Sequence, residues 1–191
     1  GTASEVWAAG ERGTVIRDSG SGFRAGPSIG STFEATDLWM SSPTDVYVAT
    51  DRVGPLVRYD GTRWQVPFTR ADRPLSAVYG RSASDVWVAG VSAFFAEYDG
   101  TTWADGNAQR PVRAFARTST AAGATLFAAG LDDLLMRRDP SGWTSSLRTF
   151  RRGRHFWGGF TGHGISWLLG ENGKILSWNG TSWSSVRGFT S

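Results

Sequence analysis

The chain has 191 residues, no cysteine, a net charge of +3, and 19% charged and 13% aromatic side chains. The missing cysteines exclude disulfides and thiolate metal sites, and there is no apolar run of about eighteen residues to cross a membrane. Nineteen of the twenty basic residues are Arg and only Lys174 is Lys; spread along the whole chain at so small a net charge, they speak against a nucleic-acid partner.

The first recognisable piece is Glu5 to Gly10, a run of strand formers around Trp7 that Gly10 ends. Asp18 to Phe23 reads as a loose turn, and Thr36 to Met40 as another short apolar strand. The same parts return with Tyr47 and Thr50, the turn Asp60-Gly61-Thr62-Arg63-Trp64, and the strand Leu75 to Tyr79. Between Ser84 and Trp103 the pattern is clearest. Val86 to Ala89 is apolar without alternation, as in a strand covered on both faces. Phe94 to Tyr98 is a second strand, and Asp99-Gly100 turns the chain into a third at Trp103, because Gly tolerates positive φ and Asp bonds the backbone ahead of it. Val112 to Phe115 comes next, then Phe127, Gly130 and Asp139 to Trp143; His155-Phe156-Trp157 precedes Trp167, Gly170 and Asn179 to Trp183.

Trp7, Tyr47, Trp87, Phe127 and Trp167 therefore stand forty positions apart, which divides the chain into five units: 4–43, 44–83, 84–123, 124–164 and 165–191. Four short strands per period of about forty residues is the pattern of a β-propeller blade; the three-and-four apolar spacing of helical repeats is absent. The expectation is an all-β, five-bladed propeller of antiparallel blades forming a single domain over 1–191, with the piece between units as the innermost strand. One blade is expected to be incomplete, since only four such pieces are present: after Trp183 eight residues remain, and six precede Trp7. Three outcomes are open: a three-stranded first blade that closes the ring, a segment of a longer propeller, or completion by another subunit.

Ser84-Asp85-Val86-Trp87-Val88-Ala89-Gly90 followed by Tyr98-Asp99-Gly100-Thr101-Thr102-Trp103 resembles the repeats of bacterial secreted and surface propellers related to the Asp-box, or BNR, family. The resemblance implies that Asp60, Asp99, Asp139 and Asn179 shape turns between outer strands. It likewise implies that Trp64, Trp103, Trp143 and Trp183 pack between blades. Such propellers include glycosidases, assembly factors and non-catalytic binding modules, and the resemblance points to a location outside the cell or at its surface. No basic segment followed by an apolar core opens the sequence, so a secretion signal is expected to lie outside it or to have been removed.

Most carboxylates occupy repeat positions and cannot converge as a glycosidase pair; the acids left over, such as Glu34, Asp51, Asp72, Glu97, Asp105, Asp132, Asp133 and Glu171, leave such a pair open. His155 and His163 share one linker without the carboxylates a metal site would want. No catalytic residue, cofactor or metal is expected. The least repeat-like stretch, Arg148 to Gly164, offers Arg151, Arg152, Arg154 and Trp157 as guanidinium forks and an aromatic platform. Ser41, Arg81 and Arg117, after the inner strands, complete the candidate ligand set. The reading is a non-catalytic, lectin-like binding module for a glycan or a protein partner, bound through loops at one mouth of the ring. The alternatives are a glycoside hydrolase of the Asp-box propeller type and a protein-protein scaffold domain.

Overall fold

A computed structural model describes residues 5–30, 32–51, 54–69, 73–120, 123–139, 141–145, 155–162 and 165–186. They belong to two compact units, Gly1–Ala108 and Gln109–Ser191. In the first unit, β1 (Val6–Ala9), β2 (Val15–Asp18) and β3 (Arg24–Ala25) form a three-stranded antiparallel sheet. Two four-stranded antiparallel meanders follow: β4 (Ala35–Ser42), β5 (Asp45–Thr50), β6 (Leu56–Tyr59) and β7 (Trp64–Phe68), then β8 (Leu75–Ser82), β9 (Asp85–Gly90), β10 (Phe94–Tyr98) and β11 (Trp103–Asn107). The second unit holds two more, β12 (Val112–Thr120) to β13 (Gly123–Gly130), β14 (Leu135–Asp139) and β15 (Gly142–Ser145), and β16 (Phe156–Gly162) to β17 (Ile165–Gly170), β18 (Ile175–Trp178) and β19 (Trp183–Val186).

The piece between units thus pairs with the unit that follows it: Trp39 lies opposite Tyr47, and Tyr79 opposite Trp87. Within each unit these leading strands lie side by side, β4 against β8 and β12 against β16, so they are the inner strands. The sheet before Ala35 has no inner strand among the described residues, as the count of inner pieces in the sequence anticipates. Each inner strand is bulged at the same place, between its first and third residues, and the fourth residue after the first faces the repeat aromatic: Trp39, Tyr79, Ala116 and Phe160. In the last two sheets that place thus falls to Ala116 and Phe160 and not to the conspicuous aromatics Phe115 and Trp157.

Sheets stack by mating unlike faces. Trp7 of the first sheet packs with Val46, Val48, Val57 and Tyr59 of the second, and Tyr47 of the second with Val78, Val86 and Val88 of the third. In the other unit Phe127 packs with Leu168, Leu176 and Trp178, its ring centroid 4.8 Å from that of Trp178. Large apolar side chains removed from water on both faces of central strands are the main source of stability in a chain without disulfides.

In the third and fourth sheets the residue that closes the second strand, Gly90 or Gly130, is Gly for a steric reason. The amide of the next residue bonds the carbonyl just ahead of the inner strand, Val91 to Pro74 at 3.1 Å and Leu131 to Pro111 at 3.0 Å. A β-carbon on Gly90 or Gly130 would collide with that same carbonyl oxygen. Gly130→Ala is therefore expected to cost about 1–3 kcal/mol by forced displacement of backbone, read as a lower midpoint in urea; an unchanged midpoint would mean the inner strand shifts freely.

The turns after the third strand are built around one side-chain oxygen. Asp60 Oδ1 accepts from Thr62 N (2.9 Å), Thr62 Oγ1 (2.7 Å) and Arg63 N (2.9 Å), and Asp99 Oδ1 accepts from Thr101 N (2.8 Å), Thr101 Oγ1 (2.7 Å) and Thr102 N (2.8 Å). Asn179 Oδ1 makes the same three bonds to Thr181 and Ser182 without a charge. The donors hold the Asp99 carboxyl down at about 2, led by the Thr102 amide. Asp99→Asn should keep the turn, as Asn179 does, whereas Asp99→Ala should lower the melting temperature; equal effects of the two would mean that the turn does not depend on this oxygen.

Candidate functional site

Between the second and third strands the chain reverses through two consecutive left-handed residues: Ser92 and Ala93 (φ 56° and 61°), Asp132 and Asp133 (51° and 61°), and Asn172 and Gly173 (56° and 69°). Left-handed backbone at non-glycine positions is costly, and the main-chain bond closing each turn, such as Leu134 N to Leu131 O at 3.1 Å, holds it there. In the second unit two of these turns carry acids to the start of β16. Asp132 N–H donates to His155 Nδ1 at 3.0 Å, and Glu171 N–H donates to the His155 carbonyl at 3.0 Å. Because Nδ1 accepts, the neutral imidazole carries its proton on Nε2, 3.9 Å from Glu171 Oε1. His155 therefore does have carboxylates beside it, contrary to the sequence reading, since the turns bring in Asp132 and Glu171 from distant positions. No three His, Asp or Glu side chains gather as a metal-ligand set among the described residues.

The His155 ring meets Trp157 edge-on at 5.6 Å. Trp157 is 54% exposed, because the bulge at Phe156 turns Phe156 into the core and Trp157 out of it. The Arg113 guanidinium lies 6.0 Å from the Trp157 ring centroid, a cation–π contact, and its buried Nε has no hydrogen-bond partner among the described residues. Arg110 pairs with Asp132 at 2.6 Å. The result is an indole ring open to solvent, with a guanidinium and an imidazole against it and two carboxylates beside the imidazole, all positioned by strand starts and tight turns of one unit.

The remaining candidates stand elsewhere. Arg151, Arg152, Arg154 and His163 lie outside the described residues. Ser41 and Arg81 hold equivalent places near the end of their inner strands, whereas Trp157 stands near the start of its own. Ser41 Oγ donates to Asp45, which also accepts from Arg58 Nε at 2.6 Å. Arg81 Nε donates to Asp85 at 2.6 Å while its guanidinium lies over Trp87 at 5.1 Å. Both side chains thus serve the hairpin into the second strand. Arg117 is on β12 opposite Leu126, and its carbonyl accepts from the Thr161 hydroxyl. Of the stretch the sequence singled out, the structure brings Trp157 and His155 to an open site, together with Arg113, Asp132 and Glu171, which the sequence reading did not name as ligand-binding residues.

In the first unit the carboxyl of Asp37, on inner strand β4, accepts from Leu38 N at 2.8 Å and from Val78 N of the next inner strand at 2.9 Å. Burial outweighs these two bonds and pushes its pKa up to about 6. Beside it Thr36 Oγ1 donates to the Leu75 carbonyl at 3.1 Å, so polar side chains tie one inner strand to the next.

No family model and no curated protein matches the sequence. A solved structure described as YCF48 bound to D1 peptide is similar, with a TM-score of 0.65 at 15% identity; the match covers 96% of this chain and 64% of that one. At that identity the likeness is one of fold, and the chain spans a little under two thirds of the length of the structure it matches. Together with the antiparallel meanders, it places this all-β chain among the β-propellers.

Proposed function

We propose that this chain is a non-catalytic binding propeller of five blades, the first of three strands, related to the Asp-box repeats of bacterial secreted and surface proteins. It recognises a glycan outside the cytoplasm, and the ligand sits on Trp157. The observation that carries this reading is the exposed indole face with Arg113, His155, Asp132 and Glu171 around it. Sugar rings stack their C–H faces on indoles, while hydroxyl groups take hydrogen bonds from guanidinium and imidazole and give them to carboxylates. The acids support binding over hydrolysis: Asp60 and Asp99 hold turns, Asp45 and Asp85 are paired with arginines, and Asp37 bridges backbone amides.

A peptide is the second reading, favoured by the similar structure, which was solved with a peptide bound. Its side chains would use the same platform. Glycan and peptide arrays separate the two. Trp157→Ala is expected to abolish binding to whichever array gives signal, with the melting temperature unchanged, since an exposed ring contributes little to folding. Retained binding in that variant would remove the site, and release of reducing sugar from model glycosides would show a hydrolase instead.

A further inference from the structure

The bulge near the start of every inner strand takes in one extra residue, and the four extra residues are Thr36, Ser76, Arg113 and Trp157. In the first unit the side chains at this place are short and bond the main chain. Thr36 Oγ1 donates to the Leu75 carbonyl at 3.1 Å, and Ser76 Oγ to the Ala89 carbonyl at 3.3 Å. A short hydroxyl therefore satisfies the fold at a bulge, and an arginine or a tryptophan there exceeds what the strand needs. In the second unit those two larger side chains stand on neighbouring inner strands and touch, with the Arg113 guanidinium 6.0 Å from the Trp157 ring centroid. Thr36 is exposed although a further sheet follows its own, so openness to solvent belongs to the bulge and not to a sheet's place in the chain.

Arg113 also carries a charge that its surroundings do not answer. Arg110 pairs with Asp132 and Arg137 with Asp139, whereas no carboxylate pairs with Arg113 among the described residues. The two acids of the site stand by the imidazole instead, Asp132 at 4.0 Å and Glu171 at 3.9 Å from the His155 ring nitrogens. The Arg113 Nε is buried, while its two terminal nitrogens are neither buried nor bonded to the chain among the described residues. A guanidinium held at its stem with its fork free offers two parallel donors, the geometry that a carboxylate matches. We propose that the glycan on Trp157 is acidic: a hexuronate whose ring stacks on the indole and whose carboxylate accepts from both terminal nitrogens of Arg113. This rests on the reading of Trp157 as a glycan platform and adds to it the charge of the sugar.

Isothermal titration calorimetry tests it, with short oligomers of galacturonate, glucuronate and mannuronate and with the methyl esters of each. The unaltered chain is compared with Arg113→Gln, Arg113→Lys and Trp157→Ala, each verified as folded by circular dichroism. The unaltered chain is expected to bind one of the acids about tenfold or more tighter than its ester, since hydrogen bonds to a charged group carry that difference. Arg113→Gln should bind acid and ester alike, at the affinity the unaltered chain has for the ester. Arg113→Lys keeps the charge without the fork and should lie between. Trp157→Ala should bind neither form. Equal affinity of the unaltered chain for acid and ester, both lost in Trp157→Ala, would overturn the acidic sugar and leave the glycan platform standing. A preference for the acid that persists in Arg113→Gln would assign the carboxylate to another cation and overturn it equally. Binding that survives Trp157→Ala, or no binding of any of these oligomers, would remove the glycan platform and the acidic sugar together.

Discussion

Replacing Trp87 by alanine is expected to lower the unfolding free energy by about 3–5 kcal/mol, through lost burial and the cavity left behind. The side chain is 0% exposed, sits in a strand whose neighbours Val86, Val88 and Ala89 are also 0% exposed, and carries the Arg81 guanidinium over its ring at 5.1 Å. Such a site has little freedom to collapse, since the flanking strands are fixed by ladders on both sides. For a chain of this length the melting temperature should fall by roughly 10 °C. Trp157→Ala is the matched control, because that ring is 54% exposed and should cost about 0.5 kcal/mol or less. Urea titrations of the two variants give the comparison. Equal losses would mean that the repeat aromatics are not the core, and a loss of ligand binding without loss of stability at Trp87 would assign that ring to recognition.

Between about pH 4 and 6 the stability of the chain should decline as pH rises, by about 3 kcal/mol in total, on account of Asp37. Its pKa in the folded chain is about 6 against 3.8 for the unreacted side chain, so the folded state holds this proton more tightly than the unfolded state does. The stabilisation is complete below the unfolded pKa and is lost as pH rises through the folded one. Asp60 and Asp99 act with the opposite sign in a lower window: their pKa values are depressed, so what they contribute is present above 3.8 and lost on acidification. The two limbs are separable with Asp37→Asn, which removes the decline between pH 4 and 6 and leaves the acid limb in place. A variant whose stability fell with the same slope as the parent would show that Asp37 ionises there without cost.

The forty-residue period was legible because it is carried by aromatic, glycine and Asp-Gly-Thr positions whose identities are dictated by burial, close approach and turn chemistry. That the first sheet shows three strands among the described residues agrees with the four inner pieces counted in the sequence. The inner register was not legible. Phe115 and Trp157 are the conspicuous aromatics of their segments, yet the residues opposite Phe127 and Trp167 are Ala116 and Phe160, one and three positions on, while every inner strand is bulged at the same place near its start. A bulge has no side-chain pattern of its own in these strands, and a one-residue slip moves every side chain to the other face. The left-handed turns were equally hidden, since Ser92-Ala93 and Asp132-Asp133 lack the glycines that usually announce them. That is why Asp132 went unseen beside Trp157, whereas Glu171 arrives from the other direction in sequence on a turn, Asn172-Gly173, that does carry the glycine. The roles of Ser41 and Arg81 were within reach, because Asp45 and Asp85 each lie four residues on, across a hairpin that the sequence already placed.

The central claim is that recognition sits at Trp157 while the repeat aromatics serve the fold. Each of the ten tryptophans carries one indole N–H, so one titration followed in a nitrogen-labelled spectrum reads them together. With the strongest ligand from the glycan and peptide arrays added stepwise, the Trp157 indole signal should move in proportion to saturation, while those of Trp7 and Trp87 stay in place. Movement of Trp87 or Trp7 with Trp157 unmoved would contradict the account.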